Sequence, residues 1–145
     1  MGASESIKYN LELIKKGKLI VDDSGRIFKL LDTGYKFRCE YLNGYGYYQL
    51  SSYLGNYKYA TCLSHRLLFA YYHGIDAINS GLVIHHIDYN KTNNKKDNLI
   101  QITKEENSRL GDGSNGFILE VRKDEDDKRR IFKWAHDKTG SRTIR

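Results

Sequence analysis

Gly81 to Gly111 reads GLVIHHIDYNKTNNKKDNLIQITKEENSRLG. Val83, Ile84 and Ile87 have the β-branched character of a strand, and Leu99 to Ile102 has the pattern of a second one. Between them Asp88 to Asp97 forms a polar stretch that reads as a long loop. Thr103 and Glu106 fit a capping box, in which the hydroxyl accepts from an orphan helix amide and the carboxylate accepts from the amide of the cap residue. A helix is therefore expected to start at about Lys104 and to stop near Gly111. The order strand, long loop, strand, helix gathers His85 and His86 from the first strand and Asn107 from the helix, a set of side chains suited to a metal-dependent nuclease.

The run also resembles a known family. His85 with His86, the pair Asn93 and Asn94, Asn98 followed by Leu99, and Asn107 follow the pattern of the ββα-metal motif of the HNH (His-Asn-His) endonucleases, in the branch found among phage and intron homing endonucleases. Upstream, HRLLFAYYHG at His65 to Gly74 resembles the helix that precedes the motif in that branch, so the resemblance covers roughly Leu63 to Leu110. It implies that His86 is the general base, that His85 and Asn107 hold the metal, and that Asn98 braces the loop. The members it most resembles carry Asp where this chain has His85, a difference that bears on metal preference.

Cutting a phosphodiester requires a water deprotonated near neutral pH, a charge to shield the phosphate and the departing oxygen, and rigid placement of both. Imidazole, with an unperturbed pKa of about 6.5, is mostly neutral yet still basic at working pH. The expected cofactor is one divalent metal ion, Mg²⁺ first and Mn²⁺ or another transition metal second, in a site that DNA and water complete. The leading reading is a homing-type DNA endonuclease that nicks double-stranded DNA. Its rival is a DNA-binding regulatory or interference module with a weakened site, and a low-specificity nuclease is a third reading.

The chain has a net charge of +6 and a sequence pI near 9.2, which favours a polyanionic partner. Charges of both signs are spread along it, so charge alone is equally compatible with an ordinary basic surface. No apolar run approaches the roughly 20 residues needed to cross a bilayer, and the expectation is a soluble protein of the cytoplasm of a bacterium or phage-infected cell. Cys39 and Cys62 stand far apart, outside any Cys-x-x-Cys pattern, which predicts no structural zinc and no disulfide framework.

The expected fold class is α+β, with a small N-terminal antiparallel sheet followed by a helix and the ββα-metal motif. The 145 residues are read as one domain: 1–62 as a helix and β region with possible DNA contact, 63–111 as the nuclease core and 112–145 as a basic appendage. Whether the chain is a monomer or a homodimer stays open.

Working outward, Ile7, Leu11 and Ile14 share one helical face over Ser6 to Lys16, with Gly17 as the stop. Leu19 to Val21 and Arg26 to Leu31 flank a turn at Asp22 to Gly25. Further strands are expected at Tyr35 to Tyr41, Tyr45 to Ser52 and Tyr57 to Leu63. Seven of the twelve tyrosines fall between Tyr41 and Tyr59, a composition that suits a half-wet sheet or a DNA-facing surface. Arg38 and Lys58 on these strands, Arg66 on the next helix, and Lys91, Lys95 and Lys96 in the long loop are the candidate DNA contacts, and Lys36 could join them. Ser64 is expected to cap a helix ending at Gly74. His73 and His136 read as solvated or structural. After Gly111 a hairpin or strand-helix appendage carrying Trp134 is expected. It surrounds a charge run at Arg122 to Arg130 and ends in a basic, frayed segment from Lys138 to Arg145, whose Arg142 and Arg145 would add nonspecific DNA affinity.

Overall fold

The apolar stripe near the N-terminus forms helix α1, Ala3–Lys15, with Ile7 fully buried. Its buried face is partly polar. Asn10 donates through Nδ2 to the carbonyls of Ser6 at 2.9 Å and Ala60 at 3.2 Å, and accepts from the Ser52 hydroxyl through Oδ1. These bonds satisfy a buried amide that would otherwise cost on the order of 1–3 kcal/mol, and they pin the helix to the strands it covers.

The computed structural model describes residues 2–78 and 81–111, together with the backbone of 117–123, 129–136 and 142–144. The protein is α+β and divides into two units. The first comprises Met1–Ile78 with Lys91–Asp97, and the second Asn79–Asn90 with Asn98–Arg145.

In the first unit, β1 (Leu19–Val21), β2 (Ile27–Leu30) and β3 (Lys36–Arg38) form one antiparallel sheet, and β4 (Tyr41–Leu42), β5 (Tyr48–Gly55) and β6 (Lys58–Leu63) form another. The single small sheet and the unbroken strand Tyr35 to Tyr41 expected from sequence are thus corrected to two sheets, with a break at Cys39 and Glu40. The cause is local. The Glu40 carboxylate accepts from the Ile27 amide at 2.8 Å and from Arg38 Nε at 3.2 Å, so a side chain takes the amide that a strand neighbour would otherwise bond. Helix α2, Ser64–His73, follows β6 directly and buries Leu67, Leu68, Phe69 and Ala70. Ser64 does not cap it. Leu63, extended and still paired with Gln49 in the sheet, is the N-cap, and the Ser64 hydroxyl is buried with no hydrogen-bond partner among the described residues.

The β5–β6 hairpin closes through Asn56 and Tyr57, at φ of 54° and 59°, between the paired Gly55 and Lys58. Two successive positive φ values make the tight turn that matches strand twist, and its second position normally takes glycine. Tyr57 is 94% exposed, so its ring contributes no burial that would offset the backbone cost. Tyr57→Gly is expected to raise stability by about 0.5–1 kcal/mol, the left-handed penalty less the extra entropy of an unfolded glycine. Urea denaturation of the two proteins checks it, and an unchanged or lowered midpoint would refute it.

In the second unit, β7 (Leu82–His86) and β8 (Leu99–Thr103) pair antiparallel from Leu82↔Thr103 to His86↔Leu99. Helix α3, Lys104–Leu110, packs on both strands. Its capping box is present: Glu106 N donates to Thr103 Oγ1 at 3.1 Å, and Thr103 N donates to Glu106 Oε1 at 2.9 Å. Ile100, Ile102 and Leu110 form the core here, with Val83, Ile87 and Tyr89 packed against it. Strands β9 (Phe117–Lys123), β10 (Arg129–His136) and β11 (Arg142–Ile144) form a sheet in the order β11-β10-β9. The end expected to fray instead includes a strand, which pairs with β10 from Trp134↔Ile144 to His136↔Arg142. The middle of the charge run at 124–128, the segment 137–141 and Arg145 lie outside the described residues, as do the side chains of Trp134, His136 and Arg142.

Candidate active site

Backbone pairing first sets the histidines. His85 lies opposite Ile100 and His86 opposite Leu99, and both are buried, at 7% and 4% exposure. Strand β7 ends at His86, where the chain turns: Ile87 N donates to Asn98 O and Tyr89 N donates to His86 O, each at 2.9 Å. Tyr89 takes a φ of 63° in this turn, and its ring meets that of His85 edge-on at 5.1 Å.

Asn98 fastens the turn from the opposite strand. Its Oδ1 accepts from Asp88 N at 2.9 Å, its Nδ2 donates to Asp88 Oδ1 at 2.8 Å, and that oxygen also accepts from Asn90 N at 2.8 Å. One amide thus holds both the backbone and the side chain of Asp88, two residues beyond His86. Asp88 is absent from the sequence-level site. The only sign of it in the sequence is an acidic residue just past the histidine pair, and its partner ten positions on becomes evident only when the hairpin register is known.

Burial pushes the His85 imidazole down from 6.5 to about 4, repulsion from His86 adds to this, and Asp88 opposes it. His85 is therefore neutral at ordinary pH, and its Nε2 is buried with no hydrogen-bond partner among the described residues. Between about 4 and 6.5 the unfolded chain binds a proton here that the folded chain refuses, so stability rises with pH across this window and is lost as pH falls through it. The urea midpoint is expected to drop as the buffer is taken from neutrality towards pH 4, and His85→Gln should flatten that drop. An equal slope in both proteins would locate the acid sensitivity elsewhere.

A neutral, unpartnered, buried ring nitrogen has the chemistry of a metal ligand. Asn107, the other expected ligand, is exposed on α3, where its backbone carbonyl accepts from the C-cap Gly111 amide at 3.1 Å. Among the described residues no group of three or more His, Cys, Asp or Glu could hold a metal ion. Both cysteines are free thiols, pushed up by burial to about 11 at Cys39 and about 12 at Cys62.

Residues 62–109 match the HNH endonuclease family. Over those residues the chain is similar to the HNH endonucleases. One solved structure, titled "DNA binding and cleavage by the HNH homing endonuclease I-HmuI", aligns over 80% of this chain and 72% of that one, at 22% identity and a TM-score of 0.49. A search of curated proteins finds no match.

In the first unit, the basic residues expected to meet DNA have different surroundings. Lys58 is exposed at the start of β6, and Arg66 is half-buried on α2 beside Ile7, Gln49 and Cys62. Lys91 donates to the Tyr45 carbonyl at 3.1 Å and stands 4.9 Å from the centre of the Tyr47 ring, so it also anchors its own loop. Lys95 is exposed, and Lys96 opens a short 3₁₀ turn, Lys96–Asn98. Asn94 is buried at 2% exposure, and its carbonyl accepts from the Tyr72 hydroxyl at 3.4 Å. Asn93 is half-buried, and its Oδ1 accepts from Lys95 N at 3.3 Å.

Proposed function

We propose that this protein is an HNH nuclease of homing type, a metal-dependent DNA endonuclease that nicks duplex DNA, with His86 deprotonating the attacking water. His85 and Asn107 would hold one divalent ion, Mg²⁺ in the first instance, and a bound ion would supply positive charge at the scissile phosphate. The observation that carries this reading is the hairpin end itself. Asn98 and Asp88 lock the turn directly after His86, so a base placed there needs little reorganisation before it accepts a proton. His85, buried and neutral, supports the metal assignment. The setting we infer is the cytoplasm of a bacterium or phage-infected cell.

Supercoiled plasmid bearing the gene's own genomic neighbourhood is the test substrate. With Mg²⁺ or Mn²⁺, open circles are expected to accumulate before any linear form, and EDTA should abolish them. Direct conversion to linear product at limiting protein would overturn nicking and indicate a dimer that cuts both strands. Binding without cleavage in any divalent ion would leave a DNA-binding module.

A further inference from the structure

An open cavity of about 340 Å³ lies within the first unit, between the β1–β2 turn, the end of β3 and the segment 91–97. Three cations line it, Arg26, Arg38 and Lys95, together with Ser24, Thr92 and Asn93. The arginines are built in. Arg26 Nε donates to Asp22 Oδ2 at 2.7 Å, and Asp22 is itself fixed because its Oδ1 accepts from the amides of Ser24 and Arg26, each at 2.9 Å. Partial burial pulls the Asp22 carboxyl up, but these bonds and the Arg26 charge outweigh it and hold the group below the usual range. Arg38 Nε donates to the buried Glu40 at 3.2 Å, and its guanidinium lies 4.2 Å from the centre of the Tyr48 ring. Each carboxylate thus takes the Nε edge of its arginine. Among the described residues neither terminal Nη pair has a hydrogen-bond acceptor.

We propose that Arg26, Arg38 and Lys95 form a grip for a single phosphodiester of the bound DNA. A guanidinium whose Nε is held by a carboxylate is already oriented, so its Nη donors meet phosphate oxygens with little further loss of side-chain freedom. Lys95 adds an exposed ammonium from the segment 91–97, and the Ser24 hydroxyl can complete the oxygen's hydrogen bonds. Three cations against two carboxylates leave a net positive pocket, which suits one monoanionic phosphate better than a cluster of them. The partner is taken from the nuclease reading, so the test must be able to fail independently of it.

The full-length protein is titrated with labelled duplex DNA in EDTA over a range of salt, which reads binding with cleavage switched off. Lys95→Ala and Arg38→Ala should each lower the slope of log affinity against log salt by about 0.9, the value for one phosphate contact. The double variant should also lose about 0.9 and not about 1.8, because both side chains serve the same phosphate. Lys95→Arg should restore the wild-type slope. Lys95 is exposed in its loop, so Lys95→Ala reports even if Arg38→Ala, which leaves buried Glu40 without its cation, fails to fold. An unchanged slope in Lys95→Ala, or a loss of about 1.8 in the double variant, overturns the grip. If no divalent ion supports cleavage while the slopes fall as stated, the nuclease mechanism fails and the grip stands.

Discussion

His86→Ala is expected to lower the single-turnover cleavage rate by about 10² to 10⁴, the usual contribution of a general base, while DNA affinity in EDTA stays at the wild-type value. The substitution removes an imidazole from the end of β7 but leaves both proposed ligands, His85 and Asn107, and the Asn98–Asp88 clamp. Metal affinity should therefore hardly move. His85→Ala and Asn107→Ala should instead lose cleavage through weakened metal binding, and part of that loss should return at higher metal concentration. Raising metal should not rescue His86→Ala. In the wild type the rate should climb with pH as the base loses its proton and then level off. Single-turnover rates for His86→Ala equal to wild type across that range would remove His86 from the chemistry.

Gly25→Ala is expected to cost about 2–4 kcal/mol, far more than a surface turn substitution. Gly25 sits at φ 76°, and a Cβ there would lie 2.1 Å from the carbonyl oxygen of Asn94 and 2.5 Å from its carbonyl carbon. Backbone on both sides must separate, because no flexible side-chain end stands in the way. Gly34 in the next turn is the internal control. It has a similar φ of 89° with nothing within 4 Å of a built Cβ, so Gly34→Ala should pay the dihedral penalty alone, about 1 kcal/mol. Equal losses for the two variants in urea denaturation would mean that the close approach of Gly25 to Asn94 contributes nothing.

The parts of the fold that could be read from sequence are those whose causes are local. Strands β7 and β8 and helix α3 follow from β-branched runs and a capping box whose two partners lie three residues apart. The β1–β2 hairpin follows from its turn residues. Features fixed by distant partners could not be read in the same way. Asn10 sits on the apolar face of α1 and looks like a surface residue until strands β5 and β6 supply its partners. Glu40 splits one expected strand by capturing the Ile27 amide, thirteen positions back. At the candidate site, the histidine pair and Asn98 can be picked out by residue type, whereas Asp88 needs the hairpin register; in the first unit, Arg26 stands out only through the cavity it shares with Arg38 and Lys95. Sequence spacing reports who is near along the chain, and these contacts run across it.

The interlock of Gly25 with Asn94 also bears on how such a stretch could be exchanged between proteins. Residues 62–109 match the family as one continuous stretch, yet within that stretch Lys91–Asp97 groups with the N-terminal unit, where the Asp22 to Arg26 turn abuts Asn94 and Tyr72 meets its carbonyl. The stretch is therefore not a cassette. A recombination event or a designed chimaera that cuts at residue 62 would carry the histidines and the capped helix intact but would strip the loop of the turn it rests on. A viable crossover has to fall before Leu19 or else import a turn that presents glycine at the same point of contact.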